Sequence, residues 1–207
     1  MKRVFILSIF LVFSMVACSN QPTEPPIDLT ELDYYAYLSD DNPLVTIKVS
    51  GYGTMKLQLF PSVAENTVNN FIVYIQSGAY DGSSFHRIIE DFMVQGGRLS
   101  DTNCPIKGEF PSNGISNPLS HDRGVISMAR TNVKDSATSQ FFIVHQDSHF
   151  LDINYASFGG LISGFNVLDA LARVSTNDAD APLSKITIES ITVELNGYNL
   201  DEVNCAY

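Results

Sequence analysis

The sequence is poor in positive charge and in cysteine. It carries 12 Lys and Arg residues against 23 Asp and Glu residues, and its formal net charge is −11 at pH 7. Such an excess of negative charge disfavours nucleic acid and direct contact with anionic lipid headgroups as partners. The three cysteines and four histidines show no spacing typical of a structural zinc site. We therefore expect no metal, no cofactor and no nucleic-acid partner.

The sequence also lacks a hydrophobic run long enough to cross a bilayer. Its main apolar run covers residues 4–16, directly after two basic residues; about 13 residues fit a signal peptide, whereas a transmembrane helix needs roughly 20. The run ends at an alanine followed by Cys18, which resembles the bacterial lipobox. We predict a signal peptide over 1–17 and a lipid on Cys18, with a free Cys18 thiol as the alternative. Export would permit Cys104 and Cys205 to pair, or they remain separate thiols.

The rest of the chain divides into a tether, one domain and a tail. Residues 18–42 contain three prolines among polar residues, which is typical of an extended tether. The aromatic cluster at 34–38 either packs on the domain or recruits a partner. Because neither an internal repeat nor a second linker follows, we predict one globular domain over 43–197 and a short tail over 198–207.

The periodicity of the domain favours a β-rich fold. Alternating apolar residues predict a hairpin with strands at 45–49 and 55–59, and a slip in the same alternation predicts a bulge near Ser190 in a last strand at 185–195. Amphipathic helices are predicted at 61–77 and 166–173. This pattern indicates a mainly antiparallel sheet closed into a barrel or sandwich. Further short strands are predicted at Phe85–Ile89, Phe92–Gln95, Val125–Ala129, Phe141–Val144 and Ala156–Ile162.

One arginine and one glutamine stand among large apolar residues between positions 85 and 97. In a continuous strand, Phe85, Arg87 and Ile89 would share a face. An arginine in such surroundings is costly to bury without partners. Arg87 is therefore either paired structurally or faces a cleft that binds a ligand, and the residues alone leave both alternatives open. The later runs 124–131 and 139–143 repeat this mixture, with apolar side chains flanked by amides and hydroxyls.

Three ordered segments of the sequence resemble the hallmarks of cyclophilins. They are Phe-His-Arg-Ile-Ile-Glu-Asp-Phe-Met-Val-Gln-Gly-Gly at 85–97, Ser-Met-Ala at 127–129 and Ser-Gln-Phe-Phe-Ile at 139–143. The resemblance extends over about 45–195. It implies a mainly β fold, an eight-stranded antiparallel closed barrel capped by two α-helices, with a peptidyl-prolyl cis/trans isomerase site on its outer face.

The resemblance also implies roles for individual residues. Arg87 would be the catalytic guanidinium, with Gln95 and Gln140 as polar neighbours. An apolar pocket would hold the proline ring, and the backbone after Ser127-Met128 would pair with substrate. The catalytic positions implied are Arg87, Phe92, Gln95 and Phe142, and the substrate-binding positions are Met93, Ala129, Arg130, Gln140, Phe150, Leu151 and Tyr155.

The sequence departs from the family pattern at two of these positions. Phe150 stands where many eukaryotic cyclophilins carry a tryptophan whose indole N–H contacts cyclosporin, and phenylalanine cannot donate that bond. We therefore expect weak cyclosporin binding. Tyr155 replaces a histidine and still offers an aromatic face with a polar tip. His86 beside Arg87 is expected to be a hydrogen-bonded structural residue, because the reaction moves no proton.

The expected partners are X-Pro segments of unfolded or exported proteins, bound by a monomer. The expected location is extracytoplasmic, lipid-anchored to a bacterial membrane, with membrane contact through the N-terminal lipid only. A surface-tethered module that binds proline motifs without turnover is the alternative function. Metal binding by His145 and His149 is not expected, and a hydrolase is disfavoured because no Gly-x-Ser-x-Gly elbow is present.

Overall fold

The structure is a computed structural model that describes residues 28–207. The predicted signal peptide, the lipidation site Cys18 and the start of the tether lie outside the described residues. Among residues 28–207, no helix combines the length and hydrophobicity that a membrane-spanning segment requires.

Nine antiparallel strands in this part of the chain form one sheet that closes almost completely into a barrel, with two helices packed on it. The strand order is β3-β9-β1-β2-β8-β6-β7-β5-β4. The predicted mainly β barrel with two helices is confirmed, with nine strands instead of eight. The elements are β1 Leu44–Val49, β2 Gly53–Leu59, α1 Pro61–Gln76, β3 Ser84–Phe85, β4 Arg87–Ile89, β5 Met93–Gly96, β6 Val125–Met128, β7 Phe141–Val144, β8 Ser157–Ser163, α2 Phe165–Ala172 and β9 Ile186–Glu194.

The additional strand arises at His86, where the predicted strand over 85–89 is interrupted. Phe85 pairs with Ile186 of β9, whereas Arg87 pairs with Gln95 of β5, so the chain passes here from one end of the strand order to the other. Phe85 is buried in the core, while the Arg87 side chain is 41% exposed. The prediction that these two residues share a face is therefore wrong, because the strand does not continue through His86.

The inner face of the barrel is a continuous apolar layer. Val94, Ile143, Ile126 and Gly159 lie opposite one another across β5, β7, β6 and β8, and directly opposed residues project from the same face of a sheet. The three branched side chains are fully buried. Residues one position away along these strands must consequently face outward, and that outer face carries the candidate site.

A β-bulge in β9 lies where the alternation predicted it. Lys48 of β1 pairs with Ser190, but the next residue, Val49, pairs with Ile188, which leaves Glu189 as the extra residue. The bulge accounts for the slip in the apolar register and keeps Ile188 and Ile191 in the core. The prediction of a bulge near Ser190 is confirmed.

The last part of the proposed tether lies against the barrel. Short 3-10 helices form at Leu29–Glu31 and Tyr35–Tyr37. Between them, Tyr34 is 1% exposed and its hydroxyl donates to the carbonyl oxygen of Leu161 at 2.6 Å. The ring lies so close to Gly160 that a Cβ at this position would collide with it. Of the two alternatives for the aromatic cluster, packing on the domain is the one observed.

The C-terminal tail is attached to the domain by a disulfide bond. Cys104 and Cys205 are joined, with their Cα atoms 5.7 Å apart, which is an ordinary separation for a disulfide. The backbone N–H of Ala206 also donates to the carbonyl oxygen of Pro105 at 2.8 Å. Of the two states open to these cysteines, the structure shows the paired one.

Candidate active site

A row of side chains crosses the outer face of the barrel. Arg87, Gln95, Phe142 and Ser127 lie directly opposite one another on β4, β5, β7 and β6. Gln95, Phe142 and Ser127 are each one residue away from a member of the buried inner row, and Arg87 precedes the buried Ile88, which pairs with Val94. The alternation of strand side chains therefore directs all four outward. The row places a cation, an amide and an aromatic ring side by side on adjacent strands.

Loops on either side turn this row into a cleft. Its walls combine apolar side chains with two guanidinium groups and one amide. All of the residues that line it are among the predicted site positions: Arg87, Phe92, Met93, Gln95, Ala129, Arg130, Phe142, Leu151 and Tyr155. The short 3-10 helix His149–Leu151 supplies Leu151, and the turn between β4 and β5 supplies Phe92.

The two remaining predicted positions lie beside the cleft instead of in its lining. Gln140 accepts a hydrogen bond from the side-chain amide of Gln95 at 3.1 Å. Phe150 is 71% exposed and its ring centroid lies 5.5 Å from that of Phe92. Gln140 thus orients a lining residue, and Phe150 forms part of the rim.

Arg87 has a partner that the sequence did not indicate. Its Nε donates to Oδ2 of Asp180 at 3.2 Å, and its Nη2 lies 3.1 Å from the same oxygen. Arg87 also lines the cleft. The sequence left two alternatives open for this arginine, a structural ion pair and a residue of a binding cleft, and both are true. Asp180 is 93 residues away in sequence and no local motif surrounds it.

The ring nitrogens of His86 have fewer hydrogen-bond partners than predicted. Both of its ring nitrogens are buried, and neither has a hydrogen bond of ordinary geometry within residues 28–207. Burial and the nearby charge of Arg98 lower the pKa of His86 below its usual value, so the ring is neutral near pH 7. The geometry thus does not show the hydrogen bonds expected for His86. His86 is absent from the cleft lining, in agreement with leaving it out of the chemistry.

A buried polar array that the sequence did not predict supports Phe142 from behind. His121 Nδ1 lies 2.8 Å from Oδ1 of Asp152, and its Nε2 lies 2.9 Å from Oγ of Ser127. The His121 ring stacks on Phe142 with centroids 6.0 Å apart. Ser127 and His121 are both fully buried, so this serine cannot meet a substrate, although the array has the order of a hydrolase triad. Burial lowers the pKa of His121 despite its carboxylate partner.

One wall of the cleft is built around Arg130. Its guanidinium lies over the rings of Phe110 and Tyr155, 5.1 and 4.6 Å from their centroids, and its Nε donates to the carbonyl oxygen of Asn154. The neighbouring Ala129 N–H donates to the carbonyl oxygen of Gln140. Because that N–H is engaged within the protein, Ala129 can offer a ligand its carbonyl oxygen but not its N–H.

The two histidines considered as metal ligands have separate partners. His145 Nδ1 accepts the backbone N–H of Asp91 at 3.0 Å, and His149 Nε2 lies 2.6 Å from Oδ1 of Asp122. Within residues 28–207, the one group with ligand atoms close enough to hold a cation is Asp122, Asp147 and His149, of which Asp147 and His149 are exposed. This group lies outside the cleft lining.

Comparison with known proteins identifies this barrel with its outer cleft. A family model described as cyclophilin type peptidyl-prolyl cis-trans isomerase/CLD matches residues 44–193. Peptidyl-prolyl cis-trans isomerase A of Dickeya dadantii is 42% identical over 156 residues, which cover 68% of this chain and 80% of that protein. Peptidyl-prolyl cis-trans isomerase B of Escherichia coli is 35% identical over 162 residues, covering 70% and 96% of the two chains.

Solved structures agree with this assignment. A cyclophilin type peptidyl-prolyl cis-trans isomerase of Cryptosporidium parvum has a TM-score of 0.68 at 29% identity, covering 74% of this chain and 98% of that one. Its structure in the presence of the dipeptide Ala-Pro has a TM-score of 0.65. The chain belongs to the family of cyclophilin-type peptidyl-prolyl cis-trans isomerases. The predicted family and enzyme class are confirmed.

Proposed function

We propose that this isomerase acts on X-Pro bonds of exported proteins and that Arg87 is its catalytic donor. The observation that carries the proposal is the position of the Arg87 guanidinium at the wall of an apolar cleft, beside the Gln95–Gln140 amide pair. A peptide bond resists rotation by about 18 to 20 kcal/mol because resonance gives the C–N bond double-bond character. Uncatalysed X-Pro bonds consequently take tens of seconds or more to isomerise.

The twisted transition state has a hydrogen-bond acceptor that the planar peptide bond lacks. When the bond twists, the prolyl nitrogen becomes pyramidal and regains a lone pair. A fixed donor beside that nitrogen, or one that holds the prolyl carbonyl, stabilises the twisted state more than the planar state, and such differential binding is catalysis. Arginine suits this task because it stays protonated and presents a rigid fork of N–H donors.

The apolar wall of the cleft strengthens the electrostatic interaction between the guanidinium and the substrate. Phe92, Met93, Phe142 and Leu151 form the wall that would clamp the proline ring while the acyl side turns. Met93, Phe142 and Leu151 are at most 6% exposed, so the wall is held by the packing of the barrel. Excluding water from this side strengthens the electrostatic interaction with Arg87.

Replacing Arg87 tests the proposal. By analogy with the loss of one preorganised donor, Arg87→Ala should lower kcat roughly 100- to 1000-fold on an Ala-Pro peptide, measured by protease-coupled or NMR exchange assay. Arg173→Ala is the matched control, because Arg173 carries the same charge, is 66% exposed and lies outside the cleft lining. Turnover of Arg87→Ala near that of the wild type would contradict the assignment.

A tethered module that binds proline motifs without physiological turnover is the second candidate, and the same cleft supports it. The two functions differ in the wild type, since a binding module would hold an X-Pro peptide without accelerating its exchange. The presence of Arg87 and Gln95 in the cleft lining favours the enzyme, because binding a proline ring needs only the apolar wall.

We further propose that the protein is exported and anchored outside the cytoplasm by lipid on Cys18. The sequence of residues 1–18 supports export, and the Cys104–Cys205 bond supports an oxidising compartment, where disulfides form and persist. Acyl chains contribute about 0.8 kcal/mol per buried CH₂ group, so several chains anchor firmly. The mass of the N-terminal peptide from membrane-extracted protein tests the anchor, and an unmodified Cys18 would contradict it.

A further inference from the structure

Asp180 holds one edge of the Arg87 guanidinium and leaves the other edge free. The carboxylate oxygen Oδ2 is 3.2 Å from Nε and 3.1 Å from Nη2. A guanidinium has five N–H donors, and within residues 28–207 the structure shows no hydrogen-bond partner for the two donors on Nη1. The carboxylate therefore fixes the plane of the group and leaves Nη1 available to the cleft.

The loop that carries Asp180 is itself held by a network of hydrogen bonds. The side-chain oxygen of Asn177 accepts the N–H groups of Ala179 and Ala181 at 3.0 and 3.1 Å. Its backbone carbonyl accepts the N–H of Asp180 at 2.9 Å. Asp180 adopts φ 59°, a left-handed conformation that Asn, Asp and Gly tolerate better than other residues. The carboxylate is thus presented by a loop with defined geometry.

The same residue also binds the backbone of the strand that carries Arg87. The N–H of Ile88 donates to the carbonyl oxygen of Asp180 at 2.8 Å. Ile88 is 1% exposed and belongs to the core. Asp180 therefore binds both the main chain of β4, at Ile88, and the guanidinium group of Arg87.

We infer that Asp180 is a positioning residue for Arg87, an inference that rests on the proposed catalytic role of that arginine. The Arg87 side chain is 41% exposed, and a long, exposed side chain samples many rotamers when it is unrestrained. Catalysis by a fixed donor requires a defined geometry, and a displacement of about 1 Å can cost roughly 100-fold in rate. Asp180 selects the rotamer in which Arg87 lines the cleft with its Nη1 donors unused.

A nearby carboxylate also has an opposing effect, because it reduces the positive potential of the guanidinium. The two effects predict opposite results when the carboxylate is removed. If the positioning of Arg87 dominates, removal of the Asp180 carboxylate lowers kcat. If the reduction of the positive potential dominates, the same removal raises kcat. The bond from Asp180 to Ile88 and the Asn177 network favour positioning, since they hold the carboxylate itself in place.

Two substitutions separate these effects while keeping the loop conformation. Asp180→Asn retains the shape and removes the charge, and Asp180→Gly removes the side chain; both residues tolerate φ 59°. We expect kcat on an Ala-Pro peptide to fall about tenfold in Asp180→Gly and less in Asp180→Asn, with KM within about twofold, because Arg87 acts on the transition state. Asp178→Asn, exposed in the same loop, is the matched charge control and should retain wild-type kcat.

The same substitutions in an Arg87→Ala background show whether Asp180 acts through Arg87. There, Asp180→Gly should have no further effect on the residual rate, whereas a purely structural role would lower both backgrounds equally. Unchanged or raised kcat in Asp180→Gly, or a change in KM alone, would overturn the inference. If the wild type and Arg87→Ala differ as proposed but Asp180→Gly equals the wild type, only this inference fails. A wild type without isomerase activity would overturn the proposed function and the inference together.

Discussion

Tyr34 offers the sharpest test of how the N-terminal segment is bound to the barrel. Its ring fills a site over Gly160, and its hydroxyl donates to the carbonyl oxygen of Leu161 at 2.6 Å. Tyr37 adds a stacked contact with Phe60, 5.7 Å between ring centroids. Burial of Tyr34 raises its pKa far above the ordinary value. These contacts predict that the segment belongs to the cooperative fold.

Replacing Tyr34 should therefore destabilise the whole domain. Truncation of a buried aromatic ring to alanine costs about 3 to 5 kcal/mol. The hydrogen bond to Leu161 contributes about 0.5 to 1.5 kcal/mol of unfolding free energy. We expect a loss of about 3 to 5 kcal/mol in Tyr34→Ala and of about 1 kcal/mol in Tyr34→Phe, which keeps the ring and removes the hydroxyl.

Urea unfolding of the chain lacking residues 1–18, followed by circular dichroism, measures these losses. Tyr35→Ala is the matched control, because Tyr35 is the next residue and is 50% exposed; its expected change is within about 0.5 kcal/mol. A loss below about 1 kcal/mol in Tyr34→Ala would refute the reasoning. It would mean that residues 28–42 form a tether that only rests on the barrel.

Two further predictions concern the disulfide and the buried histidine. Cys205→Ser should lower the free energy of unfolding by about 2 to 5 kcal/mol, because the bond closes a loop with a sequence separation of 101; addition of a reductant should have the same effect on the wild type and none on the variant. His121 has a folded-state pKa below its unfolded value of 6.5, so the unfolded chain takes up more protons as the pH falls. Wild-type stability should therefore decline more steeply below about pH 6.5 than that of His121→Gln, and parallel curves would contradict the buried position of this ring.

The sequence predicted best those features that depend on local alternation. The hairpin, both helices and the bulge near Ser190 follow from the spacing of apolar residues, and the structure places them within a few positions of the predicted bounds. The cleft was predicted through the family resemblance of three short segments. Without it, Arg87 could not be assigned, because an arginine between apolar residues has the same local pattern in a salt bridge and in a binding site.

The features that were missed depend on contacts between distant parts of the chain. Tyr34 meets Leu161 across 127 residues, and Arg87 meets Asp180 across 93 residues. The interruption at His86 has the same origin, since Phe85 and Arg87 belong to the two strands at opposite ends of the sheet order and pair with β9 and β5. Local periodicity treats such a junction as one strand, and only closure of the barrel reveals that the chain turns between two pairing partners.

Closure of the barrel also explains how Arg87 can be both paired and available. Because β4 follows the break at His86, its backbone is free on one side of the sheet order, and Ile88 finds its acceptor in the loop before β9. That loop also brings the Asp180 carboxylate to the guanidinium, while Gln95 of β5 is the cross-strand neighbour of Arg87. A strand paired on both sides would leave no room for such a loop. The unpaired edge of β4 therefore leaves space for the loop that carries Asp180. Asp180 binds the Nε–Nη2 edge of the guanidinium, and the Nη1 donors stay free for a ligand in the cleft.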